Sequence, residues 1–479
     1  MNYVITGRKP EAVFRFFEEI SAIPRGSYNE KGIADYLVAF AQARGLECYR
    51  DDLHNVLIKK PATPGQEGRA PVLFQGHTDM VCEKNNDTQH DFLKDPLKLY
   101  VDGKFLRAKG TTLGADNGIA VAMMMAMLDG ALEAHPAIEC LFTTAEEVGL
   151  NGAQGFDYSL VSARRMVNMD SEDLGIVTAG CAGGVRSDLT LAASVEPFAG
   201  ACVKISVAGL MGGHSGACIH CGRANANKVM GRLLAALIRE EDARLISVNG
   251  GSKDNAIPRE CDALVAVPDE ERATTLLTEV SLQIANELSE EDRDFRAVVE
   301  SADGEAVMMS REDTRRAVAI LNCTANGVLN MSMDIKDLVE SSRNLGVVTT
   351  EGDEISFVFS SRSSVESRLD ASILELDTVA AVTGCKIRHY SRYPGWEYAK
   401  ASKLRDAYLA AYRDVTGKDA EVNVIHAGLE CGIIRSHVPD MDMISIGPDM
   451  RDIHSPDEAL DLDSTEAFWK TVARLVEIL

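Results

Sequence analysis

The sequence predicts an α/β fold, a mixed sheet between helices, interrupted by an inserted α+β domain. Three observations lead there. In the first third, short unbroken apolar runs alternate with helix-like stretches, as strands buried on both faces do. Near residue 185 the strands become half polar, which suits a sheet covered on one side only. From about residue 400 the first texture returns. The expected division is therefore 1–184 and 396–479 as one domain and 185–395 as the insert. A chain of 479 residues exceeds the size at which one core stops growing, so at least two domains are required.

In the first part, residues 32–44 read as a helix and PVLFQ at 71–75 as a buried strand. GIAVAMMMAMLD at 118–129 reads as an apolar helix, IECLFT at 138–143 and MVNM at 166–169 as further strands. The insert offers strands at Cys202–Ala208, Ala263–Val267, Phe295–Glu300 and Ile355–Ser360. Its helices are expected at Asn225–Arg239, Thr274–Leu288 and around Ala371–Val382. The last part holds helices at Leu404–Val415 and Thr465–Ile478 and strands at Glu421–Ile425 and Met443–Ile446.

Hydrophobic residues make up 46% and charged residues 25%, an ordinary globular balance. The net charge of −24 opposes nucleic acid and anionic membranes, so neither is expected as a partner. No apolar run approaches the ~18 residues of a membrane span, and the first twenty residues lack a secretory leader's apolar segment. The eleven cysteines follow no disulfide spacing, which suits a reducing cytoplasm.

The chemistry-bearing residues follow the predicted strands, where open α/β sheets place their sites. GHTDM brings His77 and Asp79, GADNG brings Asp116, TAEEVG brings Glu146 and Glu147, NMD brings Asp170 and DIHS brings His454. Alone, each has an ordinary reading as a turn residue, a cap or surface charge. Five such coincidences at strand and helix ends carry the argument. Two histidines and three carboxylates suit a pair of first-row divalent ions sharing one carboxylate. Asp116, between glycines, is the natural bridge. His77 and Asp170 would complete one site, Glu147 and His454 the other. Asp79 is placed to orient the His77 ring, and Glu146 is free to act as general base.

The motifs GHTDMV, GADNGIAVA, TTAEEVGLNGA, NMDSED, GGHSG, NANKV, DNAIPRE, HAGLECG and SIGPDMRDIHSP, in this order, closely resemble the M20 metallopeptidases. Within them the match is to the aminoacyl-histidine dipeptidase branch, which includes the cytosol nonspecific dipeptidases. The similarity runs from about residue 10 to the C-terminus. It implies a zinc-peptidase-like catalytic domain and an inserted lid that forms a homodimer. It implies the same five ligands with the same pairing, a cis peptide after Asp116, and two divalent ions, zinc first, with manganese or cobalt as alternatives. The substrate implied is a dipeptide, aminoacyl-histidine or carnosine-like, cleaved by a water that Glu146 deprotonates; an N-acyl amino acid amidohydrolase shares the machinery. His214 would stabilise the oxyanion. Asn255 and Arg362 would hold the substrate's backbone and carboxylate, and Glu430 is a further candidate contact.

Other clusters have plainer readings. His214, Cys218, His220 and Cys221 are expected to be structural and not a zinc site. Cys82 and Cys140 are expected as small core residues, and Met123–Met127 as helix core.

Overall fold

The computed structural model describes residues 3–198, 200–302 and 307–479. The chain forms two units, one of residues 1–181, 397–424 and 429–479, the other of residues 182–396 and 425–428.

The first unit is built on an eight-stranded mixed sheet. Its spatial order is Glu47–Arg50, Val56–Lys60, Ile138–Thr143, Val72–His77, Arg165–Asn168, Asp442–Ser445, Ile176–Cys181 and Glu421–Ile425. The third to sixth strands run parallel, and antiparallel strands flank them. Val72–His77 and Ile138–Thr143 are buried at every residue, so their sequences show no period-two alternation. Val72, Phe74, Ile138, Cys140 and Phe142 pack into one large core with the helices Glu11–Ser21, Lys31–Ala43, Ala115–Leu128, Lys403–Thr416 and Leu462–Ile478.

The helix Ala115–Leu128 is buried on nearly every side, because its alanines and methionines let it lie deep in the core. It starts three residues before the expected Gly118. Gly114 supplies a left-handed cap, and Asp116 and Asn117 depart from helical angles within the first turn. The Asp116–Asn117 peptide is cis. Gly76 admits this turn: a Cβ there would lie 2.3 Å from Asn117 Oδ1 and 2.7 Å from the Ala120 Cβ.

The second unit carries a nine-stranded sheet whose pairings are all antiparallel. Cys202–Ala208 and Glu354–Ser363 turn apolar residues into a core shared with helices Ala226–Glu240, Glu270–Ala285, Arg311–Cys323 and Glu366–Thr383. The helix expected at Thr274–Leu288 begins instead at Glu270. Asp269 accepts the Arg272 N–H as cap, and Glu270 and Glu271 occupy the positive first turn. Among the described residues, no helix is long and apolar enough to cross a membrane.

Candidate metal centre

The parallel register pairs His77 with Thr143 and Gln75 with Asn168. Two strands therefore end at one level, and the third stops two residues short of it. His77 closes the first, Glu146 and Glu147 lie in the loop after Thr143, and Asp170 lies two residues past Asn168. Asp116 comes from the helix start, and His454 from the loop after the short strand Met450–Arg451.

These side chains converge. His77 Nε2 lies 3.1 Å from Asp116 Oδ1 and 3.4 Å from Asp170 Oδ1. His454 Nε2 lies 3.0 Å from Asp116 Oδ2 and 3.1 Å from Glu147 Oε1. The two oxygens of Asp116 thus face two different histidines. Donor atoms of His77, Asp116 and Asp170 lie within 4.8 Å of one another, as do those of Asp116, Glu147 and His454. Glu146 forms a third such group with His77 and Glu147.

Asp79 is fully buried and tied to both sides of this cluster. Its Oδ1 is 3.3 Å from His77 Nδ1 and accepts the Glu146 backbone N–H at 3.1 Å. Its Oδ2 accepts the Glu147 N–H at 3.3 Å and the Ser27 hydroxyl at 2.8 Å. One carboxylate therefore holds the His77 ring and the Glu146–Glu147 backbone together. Ala145, Asp452 and His454 all have positive φ, a conformation that non-glycine residues adopt at a cost and that clusters at functional sites.

Two buried charges escaped the sequence reading. Glu458 accepts backbone N–H groups from Leu113, Gly114, Ala115 and Asp116 at 2.7–3.3 Å, anchoring the turn that presents Asp116. Arg25 donates to the carbonyls of Thr78, Asp79 and Gly114. Their signal in the sequence is a single residue each. Only HSPDE, with an acid four residues after His454, hints at Glu458.

The electrostatics are those of a site short of positive charge. Burial pushes the Glu146, Glu147 and Asp170 carboxyls up, and neighbouring carboxylates add to the effect. Hydrogen bonds from His454 and His77 outweigh burial at Asp116 and hold its pKa low. Hydrogen bonds to Asp116 and Glu147 raise His454 to about 10. Imidazole and carboxylate donors crowded under a surplus of negative charge fit divalent cations of the first transition row.

In the second unit, the short strand Gly213–His214 pairs with Ala256–Ile257, and Ser215 N–H donates to the Asn255 carbonyl at 2.8 Å. His214 Nδ1 accepts the N–H groups of Gly216 and Ala217, which leaves the proton of the neutral ring on Nε2. The surrounding protein, then the Arg362 cation, lower its pKa. Arg362 is buried, donates to Tyr393 Oη at 2.9 Å, and has a buried Nε without a partner. His426 joins this group: its Nε2 lies 2.7 Å from Ser342 Oγ, and burial, then Arg362, lower its pKa to about 3. It stands in HAGLECG, where the sequence reading had singled out only Glu430.

Glu430 belongs to the first unit and has a different setting from the one expected. Its side chain has no exposed surface and is bonded to Gln75 and Thr143, so it is not presented to a ligand. Among the described residues, His214, Cys218, His220 and Cys221 form no cluster of close donor atoms. Cys140 and Met123–Met127 lie in the core, whereas Cys82 is exposed.

Residues 73–478 match peptidase family M20/M25/M40. The cytosol non-specific dipeptidase of Escherichia coli (strain K12) is 38% identical over 472 residues, covering 98% of this chain and 97% of that protein. The crystal structure of aminoacylhistidine dipeptidase from Vibrio alginolyticus superposes with a TM-score of 0.94 at 39% identity, covering 99% of this chain and 97% of the other. Aminopeptidase PepT from Bacillus cereus shares the fold at a TM-score of 0.57 and 15% identity, with 98% of each chain covered. With strand ends, acidic cluster and overall likeness in agreement, the chain belongs to peptidase family M20/M25/M40.

Proposed function

We propose that this protein is a cytoplasmic di-metal dipeptidase that hydrolyses the single peptide bond of dipeptides, aminoacyl-histidine (carnosine-like) and related short peptides. The observation that carries the reading is Asp116, whose two oxygens face His77 and His454 separately. His77, Asp116 and Asp170 would hold one divalent ion, and Asp116, Glu147 and His454 the second. Zinc is the first choice, manganese and cobalt the alternatives. Likeness across nearly the whole chain to a cytosol non-specific dipeptidase and to an aminoacylhistidine dipeptidase supports the substrate class.

When bound, such a pair supplies Lewis-acid polarisation of the scissile carbonyl and a more acidic water. The rest falls to the chain. Glu146 takes the proton of the attacking water and passes it to the leaving amine. Between the two transfers its carboxyl group would hold this proton. Asp79 fixes the His77 ring while keeping the Glu146 backbone in place. His214, with its free Nε2–H, would donate to the developing oxyanion. Arg362 and Asn255 would receive the substrate's carboxylate and backbone, since a guanidinium fork matches a carboxylate bidentately. The second unit would act as lid and as the dimer contact.

The test is a dipeptide panel with carnosine and N-acetylated controls, run on metal-free protein reloaded with zinc, manganese or cobalt. Free dipeptides should be cleaved and acetylated ones spared; the opposite preference would make the protein an N-acyl amino acid amidohydrolase. Glu146→Gln should keep two ions per chain and lose about 10²–10⁴-fold in kcat. Near-normal turnover in that variant would remove Glu146 as the base.

A further inference from the structure

We infer that Glu430 is a positioning residue of the metal centre, a buried acceptor that ties together the three strands carrying His77, Glu146–Glu147 and Asp170. The inference rests on the two-ion reading above and assigns Glu430 a role apart from substrate contact.

A continuous polar chain runs beneath the site. Glu430 Oε2 accepts from Gln75 Nε2 at 2.5 Å and from Thr143 Oγ at 2.8 Å. Gln75 Nε2 also donates to Thr143 Oγ at 3.1 Å, and Gln75 Oε1 accepts from Asn168 Nδ2 at 2.6 Å. Gln75, Thr143, Asn168 and Glu430 all lie in the interior. Each strand residue stands just ahead of a candidate ligand: Gln75 two before His77, Thr143 four before Glu147, Asn168 two before Asp170. Strand alternation puts Gln75 on the face of His77. Glu430 itself opens the helix Glu430–His437, so the chain fastens that helix to the same strand ends.

Stability alone does not account for these residues. A wholly apolar packing at four interior positions would avoid the desolvation of a carboxyl, an amide pair and a hydroxyl, and such replacements are commonly neutral or stabilising. What a polar chain provides is fixed register and side-chain direction, since each member has one arrangement that satisfies its neighbours. Glu430 is costly in this setting: burial first, then Asp170, push its carboxyl up to about 7 against the opposing effects of His77, Thr143 and Gln75. Its Oε1 is buried without a partner. Retaining such a group directly under the ligands is understandable if its acceptor oxygen sets their geometry. Groups that support metal ligands in this way change metal affinity by about 10- to 100-fold when lost.

The experiment uses the full chain, stripped of metal and titrated with zinc against a fluorescent chelator. It is paired with urea unfolding of the metal-free protein and with kcat and KM on a dipeptide. Glu430→Leu should weaken zinc binding at least tenfold and lower kcat with little change in KM. Glu430→Gln keeps an oxygen that can accept from both Gln75 and Thr143, and should return zinc affinity to within about threefold of the parent. Gln75→Leu combined with Glu430→Leu should be no worse than Glu430→Leu alone, because both break one chain.

Equal damage from the Gln and Leu variants would overturn the inference by showing that charge, not acceptor geometry, matters. A raised KM with unchanged zinc affinity would overturn it in favour of substrate contact. Loss of stability without loss of affinity would reduce Glu430 to packing. If Glu430→Leu does not fold, Asn168→Leu, which cuts the chain at its far end, carries the same expectations. A parent protein that bound fewer than two ions would instead refute the two-ion reading, so the two failures are told apart.

Discussion

Replacing Glu458 by glutamine isolates the carboxylate that holds the Asp116 turn. Oε2 accepts from Leu113 and Gly114 at 2.7 and 2.9 Å, and Oε1 from Ala115 and Asp116 at 2.8 and 3.3 Å. An amide keeps one oxygen, which will settle on the shorter pair, and turns its NH2 toward two backbone donors. Two hydrogen bonds to a charged acceptor are lost, at about 1.5–3 kcal/mol each for good geometry and less for the 3.3 Å contact. Removing a buried charge offsets part of this, since burial raises the Glu458 carboxyl against the pull of its backbone donors. The net loss should be about 2–4 kcal/mol in the first unit. The chain's two tryptophans make the assay local. Trp469 packs against the first unit's core and Trp396 lies in the second, so a Trp396→Phe background leaves Trp469 emission to follow urea unfolding. A Glu458→Gln protein within about 0.5 kcal/mol of its parent, a difference typical of surface changes, would refute the claim that this carboxylate organises the turn.

Three further outcomes follow from the geometry of the centre. Loading metal onto the metal-free protein at pH 8 should release protons, because His454 with a pKa of about 10 carries one and must lose it to bind; titration calorimetry in buffers of differing ionisation enthalpy should detect this, and apparent affinity should rise with pH. In the metal-free protein the stability His454 contributes should be fully present below its unfolded pKa near ~6.5 and disappear as pH rises through about 10, the sense required of a raised histidine. Gly76→Ala would set a methyl 2.3 Å from Asn117 Oδ1 and 2.7 Å from the Ala120 Cβ; overpacking of this kind costs about 1–3 kcal/mol, and displacement of Asp116 should appear as weakened metal binding, with unchanged affinity counting against the close fit.

Those positions also show what could be read from the sequence and what could not. Strands buried on both faces betray themselves as short, mainly apolar runs, and PVLFQ and IECLFT are legible for that reason. The residues following such runs in a parallel sheet come to one edge, so a histidine or acid there is conspicuous before any coordinates exist. The short hairpin Leu99–Asp102 and Phe105–Ala108 is not among the expected elements, although Asp102-Gly103 is a turn signal. Nor is the helix Glu11–Ser21, despite Val13, Phe17 and Ile20 at helical spacing. Both signals were present but short. Glu458 and Arg25 are a different matter. Glu458 meets its partners some 343 residues away in the chain, and a buried charge bonded to backbone amides leaves no periodicity and no motif of its own. Glu430 stands out in the sequence, yet its position beneath the strands depends on the path of the helix it begins. That path is set by packing of Leu150, Ala153 and Ile433, which no local pattern announces.

The division between legible and illegible residues follows from what each must do. In this fold the candidate ligands sit at or just past the ends of strands and helices, where side chains from several elements point at one place, and the ends of elements leave marks in sequence. The residues that hold ligands still have the opposite requirement. Asp79, Glu458 and Glu430 satisfy backbone or amide donors from elements distant in sequence, and they work only once those elements are assembled. Water solvates these charges in the unfolded chain; burial makes those of Glu458 and Glu430 costly in the folded one, whereas at Asp79 the bonds from His77, Ser27 and the Glu146 N–H outweigh burial. Part of the precision at the centre is therefore supplied by residues whose roles the sequence hides, Glu458 and Glu430 among them.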